Sequence, residues 1–301
     1  MIESWTVLKV LRWTTDYLDG KGITSPRLDA ELLIGSALDK DRVGLYLCYD
    51  QPLEPTELAE IRQLVTRRAN REPLQYILGH TEFWSLPFKV APGVLIPRGD
   101  TEILVEEAIR LLEDAEPSDQ DEILDVGTGS GAVAIALAHT FKQRCSAFNV
   151  TAIDISNDAL TLARHNAQQN EVADQIHFKQ HDMAHLDQLA AATGYRLIVS
   201  NPPYITSAEM VELMPEVLEH EPHLALEAGV DGLQCYRLLC AQAISALQPQ
   251  GWLVVEVGAT QATVVQELME QAGLIETFQR QDYGGIARVV GGRSPEAKPT
   301  V

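Results

Sequence analysis

Glu122-Ile123-Leu124-Asp125-Val126-Gly127-Thr128-Gly129-Ser130-Gly131 runs straight into Ala132-Val133-Ala134-Ile135-Ala136-Leu137-Ala138. Ile123 to Val126 reads as a short buried strand, and the alanine-rich run as a helix whose small side chains pack closely on a sheet. The strand-to-helix turn between them carries glycines at 127, 129 and 131, which let backbone approach a ligand. A second apolar run, Val150-Thr151-Ala152-Ile153, ends in Asp154, where a carboxylate suits a ribose bearing two hydroxyls. The competing role for Asp154 is N-terminal cap of a helix from Ser156 to Gln169. The glycine turn at the expected distance upstream favours the ribose.

A dinucleotide and S-adenosylmethionine both fit such a turn with a ribose carboxylate. Here the turn is Gly-x-Gly-x-Gly, lacks the later glycine of the dinucleotide fingerprint and follows directly on Asp125 and Val126. That departure favours S-adenosylmethionine. With no pyrophosphate to hold, a carboxylate beside the turn is tolerated and serves the cationic amino-acid end of the methyl donor.

Farther along, the apolar run Tyr195 to Ser200 ends in Asn201-Pro202-Pro203-Tyr204. Two consecutive prolines fix φ and donate no N–H, while their carbonyls remain able to accept. An Asn201 oxygen and the Pro202 carbonyl together grip both hydrogens of a planar NH₂ group, and the Tyr204 face stacks behind it. As a plain loop the tetrapeptide is ordinary turn punctuation. Its position after a strand, downstream of the glycine turn, makes it a reader of amide or amino nitrogens.

The surrounding chain has room for two domains, since 301 residues exceed the roughly 150 of a typical one. Ser4 to Leu18, Pro26 to Leu38 and Pro55 to Asn70 show helix-spaced apolar positions, which predicts a helical domain over 1–71, with Ser25 capping the helix that Pro26 opens. Trp5 and Trp13 are expected in its core. Gly79, Pro87 and Pro92 break a strand-rich linker over 72–98. The catalytic sheet is expected over 99–291: a helix from Asp100 to Leu112, then alternating strands and helices, with helices at Gly232 to Leu247 and Gln261 to Gln271 and a strand at Gly251 to Val257. Such alternation implies an α/β fold with a mainly parallel, Rossmann-like sheet and ligands at the carboxyl ends of its strands. The tail over 292–301 is predicted to be disordered.

Composition narrows the function classes. Forty-three acidic against 23 basic residues, a net charge of −20, argue against bulk nucleic-acid binding and leave a protein substrate acceptable. No apolar run reaches the roughly 20 residues of a membrane span, and the start lacks a signal pattern, so a cytoplasmic protein is expected. Cys48, Cys145, Cys235 and Cys240 lack metal or disulfide spacing and read as reduced thiols. His177, His181 and His185 fall four apart, but in a stretch of strand and loop, so no metal site is expected.

Taken in order, Phe83-Trp84-Ser85-Leu86-Pro87-Phe88, Leu95-Ile96-Pro97-Arg98-Gly99-Asp100-Thr101-Glu102, the Asp-Val-Gly-Thr-Gly-Ser-Gly turn and Asn-Pro-Pro-Tyr give the chain a resemblance to the bacterial peptide chain release factor glutamine methyltransferases. It extends to Ser25-Pro26-Arg27-Leu28-Asp29-Ala30-Glu31 and Asp282-Tyr283, nearly the whole chain. The resemblance implies an S-adenosylmethionine-dependent methyltransferase domain and methylation of the side-chain amide of the glutamine in the Gly-Gly-Gln tripeptide of class 1 release factors. It further implies that Asp125, Gly127, Thr128, Gly129, Ser130, Gly131, Asp154, Asp182, Met183 and Asn201 hold the cofactor. Asn201, Pro202 and Tyr204 would then act in catalysis, and Asn201, Pro202, Pro203, Tyr204, Leu95, Pro97 and Arg98 would hold the glutamine. The competing role for Arg98 is an ion pair with Glu102. Two departures from the family pattern stand out: Gly99 where a proline is usual, and Met183, able to pack on a flat ring, where an aromatic is common. The helical domain, free of these residues, is expected to dock the release factor, since a lone glutamine offers too little surface to select one protein. A monomer is expected.

Three rival functions share features of this pattern. A ribosomal-protein glutamine methyltransferase has the same turn and Asn-Pro-Pro-Tyr, but Pro97 to Glu102 resembles the release-factor group better. An adenine-N6 methyltransferase of DNA or RNA reads an NH₂ of the same geometry, against which the acidic charge weighs. A noncatalytic binding module on the same fold is the third, because fold alone does not establish activity.

Overall fold

A computed structural model of the protein describes residues 5–113, 122–144, 148–189 and 194–296. The chain divides into two compact units, Met1–Gly79 with Met214–His220, and His80–Leu213 with Glu221–Val301.

The first unit is helical among the described residues: α1 (Val7–Asp19), α2 (Pro26–Ala37), α3 (Arg42–Leu47), α4 (Pro55–Ala69) and α5 (Leu74–Leu78). Pro26 and Pro55 open their helices at the first turn, where a missing N–H costs nothing. Ser25 holds the cap position of α2 without a side-chain cap bond. Leu11, Leu18, Leu33, Ile34, Ile61 and Val65 build one buried cluster. Trp5 and Trp13 lie outside it, 46% and 51% exposed, against expectation. Trp13 stands two residues from Leu11, about 200° round the helix, and stacks on Tyr17 at 5.0 Å on the outer face. The expected start at Ser4 lies outside the described residues.

The predicted linker is also corrected, because its first part is the helix α5, which ends on the left-handed Gly79 and belongs to the helical unit. The second unit opens with a hairpin of β1 (His80–Phe83) and β2 (Leu86–Lys89), paired antiparallel. There follow a 3-10 turn (Gly99–Thr101), α6 (Glu102–Glu113), β3 (Glu122–Val126), α7 (Ala132–Gln143), β4 (Asn149–Asp154), α8 (Asn157–Gln169), β5 (Ile176–Gln180) and β6 (Tyr195–Ser200). A short helix, α9 (Pro215–His220), is counted with the helical unit. The chain closes with α10 (Gln234–Ala246), β7 (Leu247–Glu256), α11 (Ala262–Gln271), β8 (Ile275–Gln281) and β9 (Ala287–Arg293). Gly292 and Arg293 are therefore strand, not tail: β9 pairs Trp252 with Arg293 and Leu253 with Gly292. Residues 297–301 lie outside the described ones.

The strands form one seven-stranded sheet in the order β5-β4-β3-β6-β7-β9-β8. Pairings from β5 to β7 are parallel, and β9 is antiparallel to both neighbours. Both faces are covered by helices, so the central strands are apolar throughout: Ile123, Leu124, Val150, Leu197, Ile198 and Val254 are all fully buried. Within this unit the alanine-rich α7 lies against the sheet with Ala134, Ala136 and Ile135 at 0% exposure.

Candidate active site

Register assembles the site. Val126 pairs with Ile153 of β4 and with Ser200 of β6, so Gly127, Asp154 and Asn201 emerge together at the carboxyl edge of the sheet. The chain leaves β3 toward β4 on one side and returns as β6 on the other, which opens a crevice at the point where the winding reverses. Ser200 Oγ donates to the Val126 carbonyl at 2.7 Å and ties the two strand ends together.

The glycine turn is held from inside by Asp125, which is 1% exposed. Its Oδ2 accepts from Thr128 Oγ1 at 2.7 Å and from the Ala134 N–H at 3.2 Å. Burial pushes its carboxyl up to about 7, against the pull of those bonds and with a contribution from the Asp154 charge. Gly129 has φ 56, and a Cβ there would meet no protein atom within 4 Å: the backbone conformation demands glycine and the open side faces ligand space. Gly131 has φ 85 and is also a packing position, where a Cβ would come within 2.9 Å of Ile135 Cδ1 and 3.1 Å of Ala163 Cβ. Asn166 of α8, fully buried, braces the turn by donating to the Ser130 carbonyl at 2.9 Å and to the Lys89 carbonyl at 3.1 Å.

Asp154 is not the helix cap. Ser156 is, its Oγ accepting from the Ala159 N–H at 3.2 Å. Asp154 accepts from Ser156 N–H at Oδ1 and from Gly129 N–H at Oδ2, both at 2.9 Å, so it tethers the glycine turn while facing the crevice.

The crevice is a cavity of about 520 Å³. Asp125, Gly127, Thr128, Gly129, Ser130, Asp154, Asp182, Met183, Leu95, Pro97, Arg98, Asn201 and Pro203 line it. Gly131 packs behind the turn instead, and Pro202 and Tyr204 are not among the lining residues. Tyr204 is drawn away by core packing and by its hydroxyl, 3.5 Å from Glu256 Oε1; burial, with the Glu256 charge, pushes its phenol up to about 12. Gln261 Nε2 donates to the Tyr204 carbonyl at 2.9 Å and fixes the loop from below. Asn201 Nδ2 donates to Thr101 Oγ1 at 3.0 Å.

Arg98 pairs with Glu221 rather than with Glu102, whose Oε1 instead accepts the Trp84 N–H at 2.7 Å. The Glu221 carboxylate, also accepting from the Ile96 N–H at 3.2 Å, pins the Leu95–Arg98 wall of the cavity. His181 and His185 are joined through a bond between the His181 ring and the His185 carbonyl, and His181 lines the cavity. Sequence reasoning passed over Thr101, Asn166, Glu221, Glu256 and Gln261. Only Glu256 carried a signal, a carboxylate ending the apolar run Leu253-Val254-Val255 just as Asp154 ends β4; the others become relevant through contacts across long stretches of chain.

The site fits S-adenosylmethionine by its own features: a glycine turn open on the ligand side, a carboxylate facing the cavity from the end of the next strand, a buried carboxyl beside the turn, and a volume within the ordinary range of roughly 300–1,000 Å³ for ligand pockets. Fold and site together define a class I S-adenosylmethionine-dependent methyltransferase, and a methyltransferase-domain family model matches residues 117–288, with a PrmC N-terminal domain model over 9–79. The release factor glutamine methyltransferase of Geobacter sulfurreducens is 47% identical over 291 residues, covering 97% of this chain and 98% of that protein, and the one from Vibrio cholerae is 39% identical over 290 residues, covering 96% and 97%. The chain belongs to the release factor glutamine methyltransferase family. A crystal structure of a release-factor-specific protein-(glutamine-N5) methyltransferase from Alicyclobacillus acidocaldarius is 31% identical, covering 69% of this chain and 99% of that one with a TM-score of 0.41. No described helix is long and apolar enough to cross a membrane.

Proposed function

We propose that the protein transfers a methyl group to the side-chain amide nitrogen of the glutamine in the Gly-Gly-Gln motif of class 1 peptide chain release factors. The observation that carries this reading is the state of Asn201: its amide nitrogen is committed to Thr101, which leaves its oxygen to accept from a ligand NH₂ at the cavity edge. The names of the relatives supply the release factor as the protein that bears the glutamine.

An amide nitrogen is a poor nucleophile because its lone pair is delocalised into the carbonyl. Orientation therefore has to supply much of the rate. Bound S-adenosylmethionine supplies a methyl group activated by a cationic sulfur. Asn201 Oδ1 and the Pro202 carbonyl accept the two N–H bonds of the glutamine and hold its nitrogen in a near-attack position. As positive charge develops on that nitrogen, the same two oxygens stabilise it. Leu95, Pro97, Arg98 and Pro203 flank the glutamine side chain, and Tyr204 supports the loop from its buried side. Asp154 holds the ribose, Asp125 answers the amino-acid end and Met183, beside Asp182, packs on the adenine. The proton leaves to solvent after transfer. The helical unit docks the release factor, the enzyme works as a cytoplasmic monomer, and it makes no direct contact with nucleic acid.

Incubation with labelled methyl donor and a purified class 1 release factor, followed by mass-spectrometric site mapping, tests the reading. One added methyl on the Gly-Gly-Gln glutamine is expected. Label found only on a ribosomal protein or on adenine would overturn it.

A further inference from the structure

Gln261 stands in the cap position at the start of α11, yet its side chain makes no capping bond. It reaches instead to the Asn-Pro-Pro-Tyr loop. Nε2 donates to the Tyr204 carbonyl at 2.9 Å and to the Gly232 carbonyl at 3.3 Å, while Oε1 accepts from the Gly258 N–H at 3.1 Å. A carbonyl only accepts and a backbone N–H only donates, so these backbone groups admit a single orientation of the amide. Two glycines make room for it: a Cβ at Gly232 would fall 2.6 Å from Gln261 Nε2, and one at Gly258 would fall 2.8 Å from Oε1.

What this bracket fixes follows from the loop itself. Asn201 is held at one end by Thr101 at 3.0 Å, and the Tyr204 carbonyl at the other by Gln261. Between them stand only Pro202 and Pro203, whose rings fix φ. A segment this short, anchored at both ends and with both φ angles locked, cannot turn its carbonyls without breaking an anchor. We infer that Gln261 is a positioning residue for methyl transfer: by holding the Tyr204 carbonyl it keeps the Pro202 carbonyl and the Asn201 oxygen aimed together at the substrate amide. The inference rests on the reading of those two oxygens as acceptors of the glutamine NH₂.

The bracket needs a donor and an acceptor on one side chain of this length. A protonated carboxylic acid keeps both, its O–H donating to the Tyr204 carbonyl and its other oxygen accepting from Gly258. Once ionised it only accepts, and it sets a negative charge against two carbonyls. Gln261→Glu therefore makes the bracket titratable, intact at low pH and lost as pH rises. Around it stand the phenols of Tyr236 on α10, 3.4 Å from Oε1, and of Tyr204 in the loop; burial pushes both up, Tyr204 to about 12, and both stay protonated. The Glu256 carboxyl at the end of β7, with Asp100 and Arg288 acting on it, is pushed by burial up to about 7 and titrates in wild type and variant alike.

The test measures kcat and KM on an intact release factor, and the methyl-donor Kd by calorimetry, from about pH 6 to about pH 9 for the wild type, Gln261→Glu and Gln261→Met. Relative to the wild type at each pH, Gln261→Glu should keep most of kcat at the acid end and lose about tenfold or more toward the alkaline end, the scale of one lost hydrogen bond. Gln261→Met, similar in length but unable to make the bonds, should show that loss at every pH. KM for the release factor, set by remote contacts, and the methyl-donor Kd should hardly move. An active wild type overturns the inference alone if the Gln261→Glu ratio stays flat with pH, if folded Gln261→Met keeps full kcat, or if methyl-donor affinity falls in step with kcat. If Gln261→Glu fails to fold, Gln261→Met carries the comparison of kcat with Kd. A wild type that methylates no glutamine overturns the functional reading beneath it.

Discussion

Asn201 and Asp154 occupy equivalent positions, each the polar residue at the end of a buried strand, and they do different work. Asn201 has one half of its amide occupied by Thr101 and the other half open. Asn201→Ala should cut kcat by about 10²–10³-fold, the scale seen for loss of one preorganised polar group at a reacting centre. Thermal stability should hardly move; near-normal turnover in the folded variant would remove the amide grip from the mechanism. Asp154 fastens Gly129, and in the proposed function it also holds the ribose. Asp154→Ala should weaken S-adenosylmethionine binding by about 1.5–3 kcal/mol, the range for hydrogen bonds to a charged group. The cap belongs to Ser156, so Ser156→Ala should instead lower stability by about 1 kcal/mol and leave affinity alone. Calorimetric titration and melting of the two variants separate the roles.

Within the helical unit, elements distant in sequence are joined by buried charge. Arg68 of α4 reaches Asp29 of α2 at 2.6 Å and Glu216 of α9 at 3.0 Å, and Arg71 meets Glu216 at 2.9 Å. Arg68, Asp29 and Glu216 are all nearly sealed from water. The pairing gives α9, only six residues long, a fixed place among helices it does not adjoin in sequence. Removing the shared guanidinium leaves Asp29 buried without its cation and Glu216 with Arg71 alone. Arg68→Ala should therefore destabilise by about 3–5 kcal/mol, whereas the exposed pair Arg237–Asp231, screened by solvent, should contribute little. The urea midpoints of Arg68→Ala and Arg237→Ala make the comparison, and a similar small shift in both would show that the buried network carries no stability.

At the scale of the molecule, the cavity and the Asn-Pro-Pro-Tyr loop belong to one unit, and among the described residues those that line the cavity all lie in that unit. Recognition of one protein among many then depends on contacts remote from the glutamine. Catalytic efficiency on an intact release factor should exceed that on a short Gly-Gly-Gln peptide by about 10²-fold or more, equivalent to roughly 3 kcal/mol of remote binding energy. Steady-state kinetics with both substrates measures the ratio, and equal efficiencies would leave the helical unit without a docking role.

The α/β fold, the glycine turn, the carboxylate that ends β4 and the Asn-Pro-Pro-Tyr loop that follows β6 were all legible in the sequence, because each is a local pattern: an apolar strand, then the residue its turn demands. Periodicity also gave most helices to within a few residues. It misplaced Trp13, since hydrophobicity alone does not say which side of α1 meets α2. It read Leu74–Leu78 as linker and Gly292–Arg293 as tail, since a five-residue helix is too short to show a period and a glycine-rich end of a strand becomes strand only when β7 pairs with it. Tertiary structure alone decided that Glu221 would hold Arg98, that Asn166 would brace the turn, and that Thr101 would stand behind Asn201. Those contacts span from 36 to more than 120 residues, and a hydrogen bond across such a distance leaves no periodic trace in the chain that makes it.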